Sequence, residues 1–149
     1  MTMKVLTIGF TQKSAERFFA LLKNSGAKRV VDVRLNNVSQ LAGFAKRDDL
    51  RFFLKNLYGM DYVHVSELAP KKEMLKAYQD KKMTWLQYEA EFLNLMGQRR
   101  IEAVVDRSMI DEGCLLCSED KPHHCHRRLV AEYLKSHWSD DNLEIKHLV

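Results

Sequence analysis

Five short apolar segments separated by stretches of helical spacing restrict this chain to one kind of fold. Val5-Leu-Thr-Ile8, Arg29-Val-Val-Asp-Val33, Tyr62-Val-His-Val65, Cys114-Leu-Leu-Cys117 and Leu143 to Leu148 read as strands. Ala15, Phe18, Phe19 and Leu22 recur at helical spacing up to Gly26, a C-terminal stop. Asp48 is placed to cap a helix striped by Leu50, Phe53, Leu54 and Leu57 and ended by Gly59. Met74, Leu75 and Tyr78 form a further helical stripe. Thr84 with Gln87 makes a capping box ahead of Leu86, Phe92, Leu93 and Met96. Ile101, Val104, Val105 and Met109 continue the helical period, and Val130, Tyr133 and Leu134 follow after the fourth strand. Strands alternating with helices predict an α/β fold: a mostly parallel sheet of about five strands with helices on both faces. Ligands of such folds bind at the carboxyl ends of the strands. The residues there are Gly9-Phe10-Thr11, Asp32-Val-Arg34, Ser66-Glu67 and Ser118-Glu119.

A length of 149 residues without linker, repeat or low-complexity run fits a single domain spanning 1–149, large enough to fold without a disulfide or metal staple. The 46% apolar content excludes a disordered chain. No apolar run reaches the roughly 18 residues a membrane span needs. The start, Met1-Thr-Met-Lys4, leads into a strand and not into a signal segment, so the expectation is a cytoplasmic protein with no membrane partner.

All three cysteines, Cys114, Cys117 and Cys125, and three of the six histidines, His123, His124 and His126, fall in one short window. If 114–118 is a strand, Leu115, Cys117 and Glu119 point one way and Cys114, Leu116 and Ser118 the other. A C-x-x-C pair split across a sheet is unsuited to thioredoxin-like chemistry. The stripe of the following helix places His126 and Arg127 inward in its first turn, with Arg128 outward and paired to Glu132. An inward arginine at a positive helix end calls for a carboxylate, Glu119 or Asp32, or for a phosphate. Cys125 beside them reads either as a small space-filling residue or as a thiol of lowered pKa. A phosphatase loop is excluded, because that chemistry needs an arginine where Ala131 stands. Cys117, Cys125 and one of the three histidines, with Glu119, form a candidate zinc set of uncommon spacing. No cofactor is expected otherwise.

The start Thr7-Ile8-Gly9, the segment Val31-Asp-Val-Arg34 with Ser39 and Phe44, the stretch from Leu50 to Gly59 ahead of Tyr62, and above all Leu115-Leu-Cys-Ser-Glu119 with Cys125-His-Arg127 resemble the bacterial and archaeal domain of unknown function family numbered 488. The resemblance covers nearly the whole chain and implies a fold and a site, not a reaction. Its motif residues fall on Gly9, Asp32, Arg34, Ser39, Phe44, Cys117, Glu119, Cys125, His126 and Arg127. The chain departs from the pattern at Phe10, where the family has His, and at Leu35-Asn36, where it has Pro after D-V-R.

Three readings follow. In the first, an enzyme binds a phosphorylated or nucleotide-like ligand through Arg34 and Arg127, with Gly9, Ser39, Phe44 and Cys117 around it. Glu119 or Asp32 is then the general base, and Cys125 or His126 the nucleophile or acid. The purely structural alternative is an ion-pair network of Asp32, Arg34, Glu119 and Arg127. In the second, the chain binds nucleic acid through Lys71-Lys72, Lys81-Lys82 and the rings of Tyr78, Trp85 and Tyr88, although a net charge of +4 is mild. In the third, it binds a metal or works through its thiols.

Overall fold

The computed structural model describes residues 2–38, 43–119 and 122–149. Its five strands are β1 (Thr2–Gly9), β2 (Arg29–Asp32), β3 (Asp61–His64), β4 (Gly113–Cys117) and β5 (Asn142–Leu148). They form one sheet in the order β3-β2-β4-β1-β5 with every pairing parallel. The helices are α1 (Ala15–Ser25), α2 (Arg47–Tyr58), α3 (Lys72–Gln79), α4 (Trp85–Arg99), α5 (Ile101–Val104), α6 (Arg107–Ile110) and α7 (His126–His137).

The central strands alternate between two cores, as a sheet buried on both sides must. Leu6, Ile8, Val30, Cys114 and Leu116 pack with Phe18, Phe19 and Leu22 of α1 and Leu50 and Leu54 of α2. Val5, Val31, Leu115 and Cys117 pack with Phe92 and Met96 of α4 and with Leu129, Val130 and Leu134 of α7. The chain leaves β1 and β2 towards the first face and leaves β3 and β4 towards the second. The carboxyl end of β4 therefore lies between two strands whose connections depart to the opposite side, the switch point where open α/β sheets form their crevice.

Most helix boundaries follow local chemistry. Ser14 caps α1, whose end at Gly26 is left-handed, and Thr84 and Gln87 form the reciprocal capping box of α4. Two expectations need correction. Asp48 is not a cap: α2 starts at Arg47 after an extended Lys46, and Asp48 lies in the first turn, where it complements the helix dipole. The run from Ile101 to Met109 is not one helix, because extended backbone at Val105 and Asp106 splits it and Asp106 caps the second piece by accepting from the Ser108 N–H.

Candidate active site at the end of the fourth strand

Register brings the site together. Gly9 lies beside Cys117 and Asp32 beside Leu116, so three strands end at one level. The loop after β4 is latched to β1: Phe10 and Thr11 donate their backbone N–H to the Ser118 carbonyl at 3.2 and 3.0 Å, and the Thr11 hydroxyl adds a third bond. Gly9 is required here. A Cβ built at this position would lie 1.5 Å from the Glu119 carbonyl oxygen, so only a residue without one admits the crossing.

The two inward arginines are both engaged within the protein. Arg34 holds Asp32 bidentately, Nε and a terminal nitrogen donating at 2.9 and 2.8 Å, while another terminal nitrogen donates to the Ala45 carbonyl. Asp32 also accepts from the Arg34 backbone N–H, from Asn37 and from the Tyr62 hydroxyl. Burial alone would raise the Asp32 carboxyl; the hydrogen bonds and charge of Arg34 outweigh it and hold the group below its ordinary value. Asp32 is thus a fully paired carboxylate pinning the loop after β2. The Phe10 ring lies under the Arg34 guanidinium, 5.4 Å from centroid to carbon.

Arg127 points inward as expected, but among the described residues neither the Glu119 nor the Asp32 carboxylate is its partner. It donates to the Glu119 backbone carbonyl and to the Thr7 hydroxyl, and a terminal nitrogen lies 3.8 Å from the Cys125 sulfur. The Glu119 side chain is exposed. Arg128 pairs with Glu132 at 3.0 Å, as the helical spacing predicts. Phe44 packs against Phe18 and Phe19 in the core of the first face, on the opposite side of the sheet from Cys117 and Cys125. Ser39 lies outside the described residues.

Strand geometry separates Cys114 from Cys117, one on each face. Cys117 instead meets Cys125 and His126 at the start of α7. The two sulfurs and an imidazole nitrogen lie within 4.8 Å of one another, all three residues buried, a donor set that could hold a metal ion. His126 donates from Nε2 to the Val33 carbonyl at 2.6 Å, which leaves Nδ1 as the acceptor in the neutral ring. The Cys117 sulfur is 3.3 Å from Nδ1 and 3.9 Å from Nε2. Such similar distances put the sulfur over the ring face, not in line with the Nδ1 lone pair.

Of the two readings left open for Cys125, the structure shows the buried one. Burial pushes the Cys125 thiol well up, and its hydrogen bond to Cys117 raises it further. Burial would raise Cys117 too, but the hydrogen bond from Cys125, the charge of Arg127 and the backbone N–H groups of Ser118 and Glu119 bring it below its ordinary 9.0. Cys117, not Cys125, is the acidic thiol. The missing signal was the chain turn after β4, which supplies two amide donors that periodicity does not reveal.

These groups form the floor of a cleft of about 290 Å³. One wall is Leu75, Tyr78, Trp85 and Tyr88; the other carries Asn36, Ser118 and Glu119. The rings expected either to stack on bases or to pack helices stack on one another, with Trp85 and Tyr88 centroids 5.2 Å apart, and His124 covers the outer face of Trp85 at 4.9 Å. Wider grooves run along α3 and α4 and between α1 and β5, but neither reaches a cysteine.

The sequence model of Domain of unknown function DUF488 matches residues 14–134. The chain belongs to the DUF488 family. No curated protein and no solved structure matches it. In this DUF488 domain the match extends from the α1 cap to the last core leucine of α7 and includes the whole Cys117, Cys125, His126 and Arg127 cluster. No described helix is long and apolar enough to cross a membrane.

Proposed function

We propose that this domain is an enzyme whose reactive group is the thiolate of Cys117 and whose ligand is a small molecule seated in the strand-end cleft. One observation carries the reading: Cys117, Cys125 and His126 converge within 4.8 Å in the lining of the cleft, where Cys125, Arg127 and the Ser118 and Glu119 backbone draw the Cys117 thiol below its ordinary value. An environment of that kind stabilises negative charge on sulfur and in a tetrahedral or oxyanion neighbour alike. His126, fixed by the Val33 carbonyl, stands over the sulfur as a proton carrier after a small ring rotation. The reading differs from a phosphate site built on Arg34 and Arg127, because both guanidiniums are already satisfied internally.

The test is iodoacetamide labelling followed by peptide mapping and a pH profile of the rate. Cys117 is expected to react before Cys114 and Cys125, with a midpoint below 9.0 that rises in Arg127→Met. Preferential labelling of Cys125, or a midpoint at the ordinary value, rejects the reading. A thermal-shift screen with nucleotides and sugar phosphates addresses the ligand, since saturation at 100 times Kd stabilises by about 2.7 kcal/mol.

The three converging soft donors favour a second reading, in which the same residues bind zinc and His126 is oriented through its other nitrogen, as metal-binding histidines usually are. Stoichiometric zinc in the purified protein, lost in Cys125→Ser, would establish it; a metal-free protein with full thiol reactivity would exclude it.

A further inference from the structure

We infer that Cys117 and Cys125 are a redox pair that reduces an organic hydroperoxide, Cys117 attacking the peroxide and Cys125 closing a disulfide. The inference shares its two residues with the reading above and adds a reaction carried by the placement of their sulfurs. Its basis is geometric. The two sulfurs share one small cluster, line the same cleft and are free thiols. Cys125 is the N-cap of α7, in extended backbone and with no capping bond from its side chain, so its sulfur can turn towards Cys117 without unwinding the helix. Cys114, on the opposite face of the sheet, cannot compete for either partner.

The substrate class follows from access. Cys117 is only 5% exposed, at the bottom of the cleft. A terminal O–OH group is slim enough to reach it, whereas a disulfide brings bulk on both sides of the bond attacked. Leu75, Trp85 and Tyr88 provide an apolar wall for the organic part.

The steps balance. The Cys117 thiolate attacks the terminal peroxide oxygen; the S–O bond forms, the O–O bond breaks, and the alkoxide takes the Cys125 proton and leaves as the alcohol. The Cys125 thiolate then attacks the sulfenic sulfur; the S–S bond forms, the S–O bond breaks, and hydroxide departs to solvent. Two thiols are oxidised and one hydroperoxide is reduced to alcohol and water. A soluble thiol or dithiol reductant returns the pair to its starting state.

The reduced protein, treated with one equivalent of cumene hydroperoxide, is to be followed by intact mass and peptide mapping. The expected product has lost two hydrogens and links the Cys117 and Cys125 peptides. In Cys125→Ser the reaction stops at a sulfenic acid on Cys117, trapped by dimedone. In Cys117→Ser oxidation slows by about tenfold or more, as expected once the thiolate is gone, and Cys114→Ala behaves as wild type. A Cys125→Ala variant repeats the trapping if the serine protein misfolds. Sulfenic acid accumulating in the wild type without a disulfide overturns the inference, as does faster reaction with glutathione disulfide than with the peroxide. If labelling finds an acidic Cys117 but no disulfide forms, the redox step falls and the thiolate reading stands; if the Cys117–Cys125 disulfide forms while Cys117 labels with an ordinary midpoint, the thiolate reading falls and the redox step stands.

Discussion

At the scale of single residues, the fold depends on a few polar and conformational requirements around the sheet edge. Asp32 and Arg34 are buried together, so removing one charge strands the other. Asp32→Asn is expected to lower stability by about 3–5 kcal/mol in urea unfolding. Its pH dependence has a definite sign. Because the folded Asp32 carboxyl is held below its ordinary 3.8, its contribution is complete above that value and is lost as the pH falls from 3.8 through the lower folded value. Wild-type stability should decline in that acid range, and the Asp32→Asn protein should show a shallower decline. Gly9→Ala forces a methyl group into the Glu119 carbonyl. A loss on the order of 3 kcal/mol is expected, with slower Cys117 labelling because the latched loop also supplies the amide donors. The sequence showed which of these residues gather at the strand ends, since alternation and helix spacing fix direction. It did not show their pairings. Whether Arg127 meets a carboxylate, a carbonyl or a ligand is decided by the path of the loop after Cys117, and which of the two readings of Cys125 holds is decided by burial that no local pattern reports.

At the scale of elements, the legible parts were those governed by local chemistry. The α4 capping box was visible in Thr84 and Gln87 and is present with both reciprocal bonds. Thr84→Ala should cost about 1 kcal/mol, measured by chemical unfolding. The segment from 101 to 110 was misread because helical spacing persists across a break. The extended Val105 and Asp106 keep Ile101 and Ile110 buried while turning the axis, so a periodicity argument sees one stripe where the chain builds two short helices. The Asp48 expectation failed for a related reason: a good capping residue one position inside the helix is also a good first-turn residue.

At the scale of the whole molecule, one sheet carries two cores, one on each face. Phe18 lies fully buried on the α1 side and Phe92 fully buried on the α4 side. Phe18→Ala and Phe92→Ala should each cost about 3–5 kcal/mol, and in the double variant the losses should add to within about 0.5 kcal/mol, because the sites share no partner. Equilibrium urea unfolding of the four proteins tests this, and a single transition in each is expected if the sheet couples both faces. The strand order has a consequence for synthesis. β1 and β2 leave the ribosome early, yet neither pairs with the other; both bond to β4, which is made much later. Until residue 117 emerges, the nascent chain holds two apolar strands with unsatisfied edges, exposed to chaperones and to wrong pairings. The segment that joins the two halves of the sheet also brings in Cys117, so a nascent chain stalled before it lacks both a joined sheet and the proposed reactive thiol.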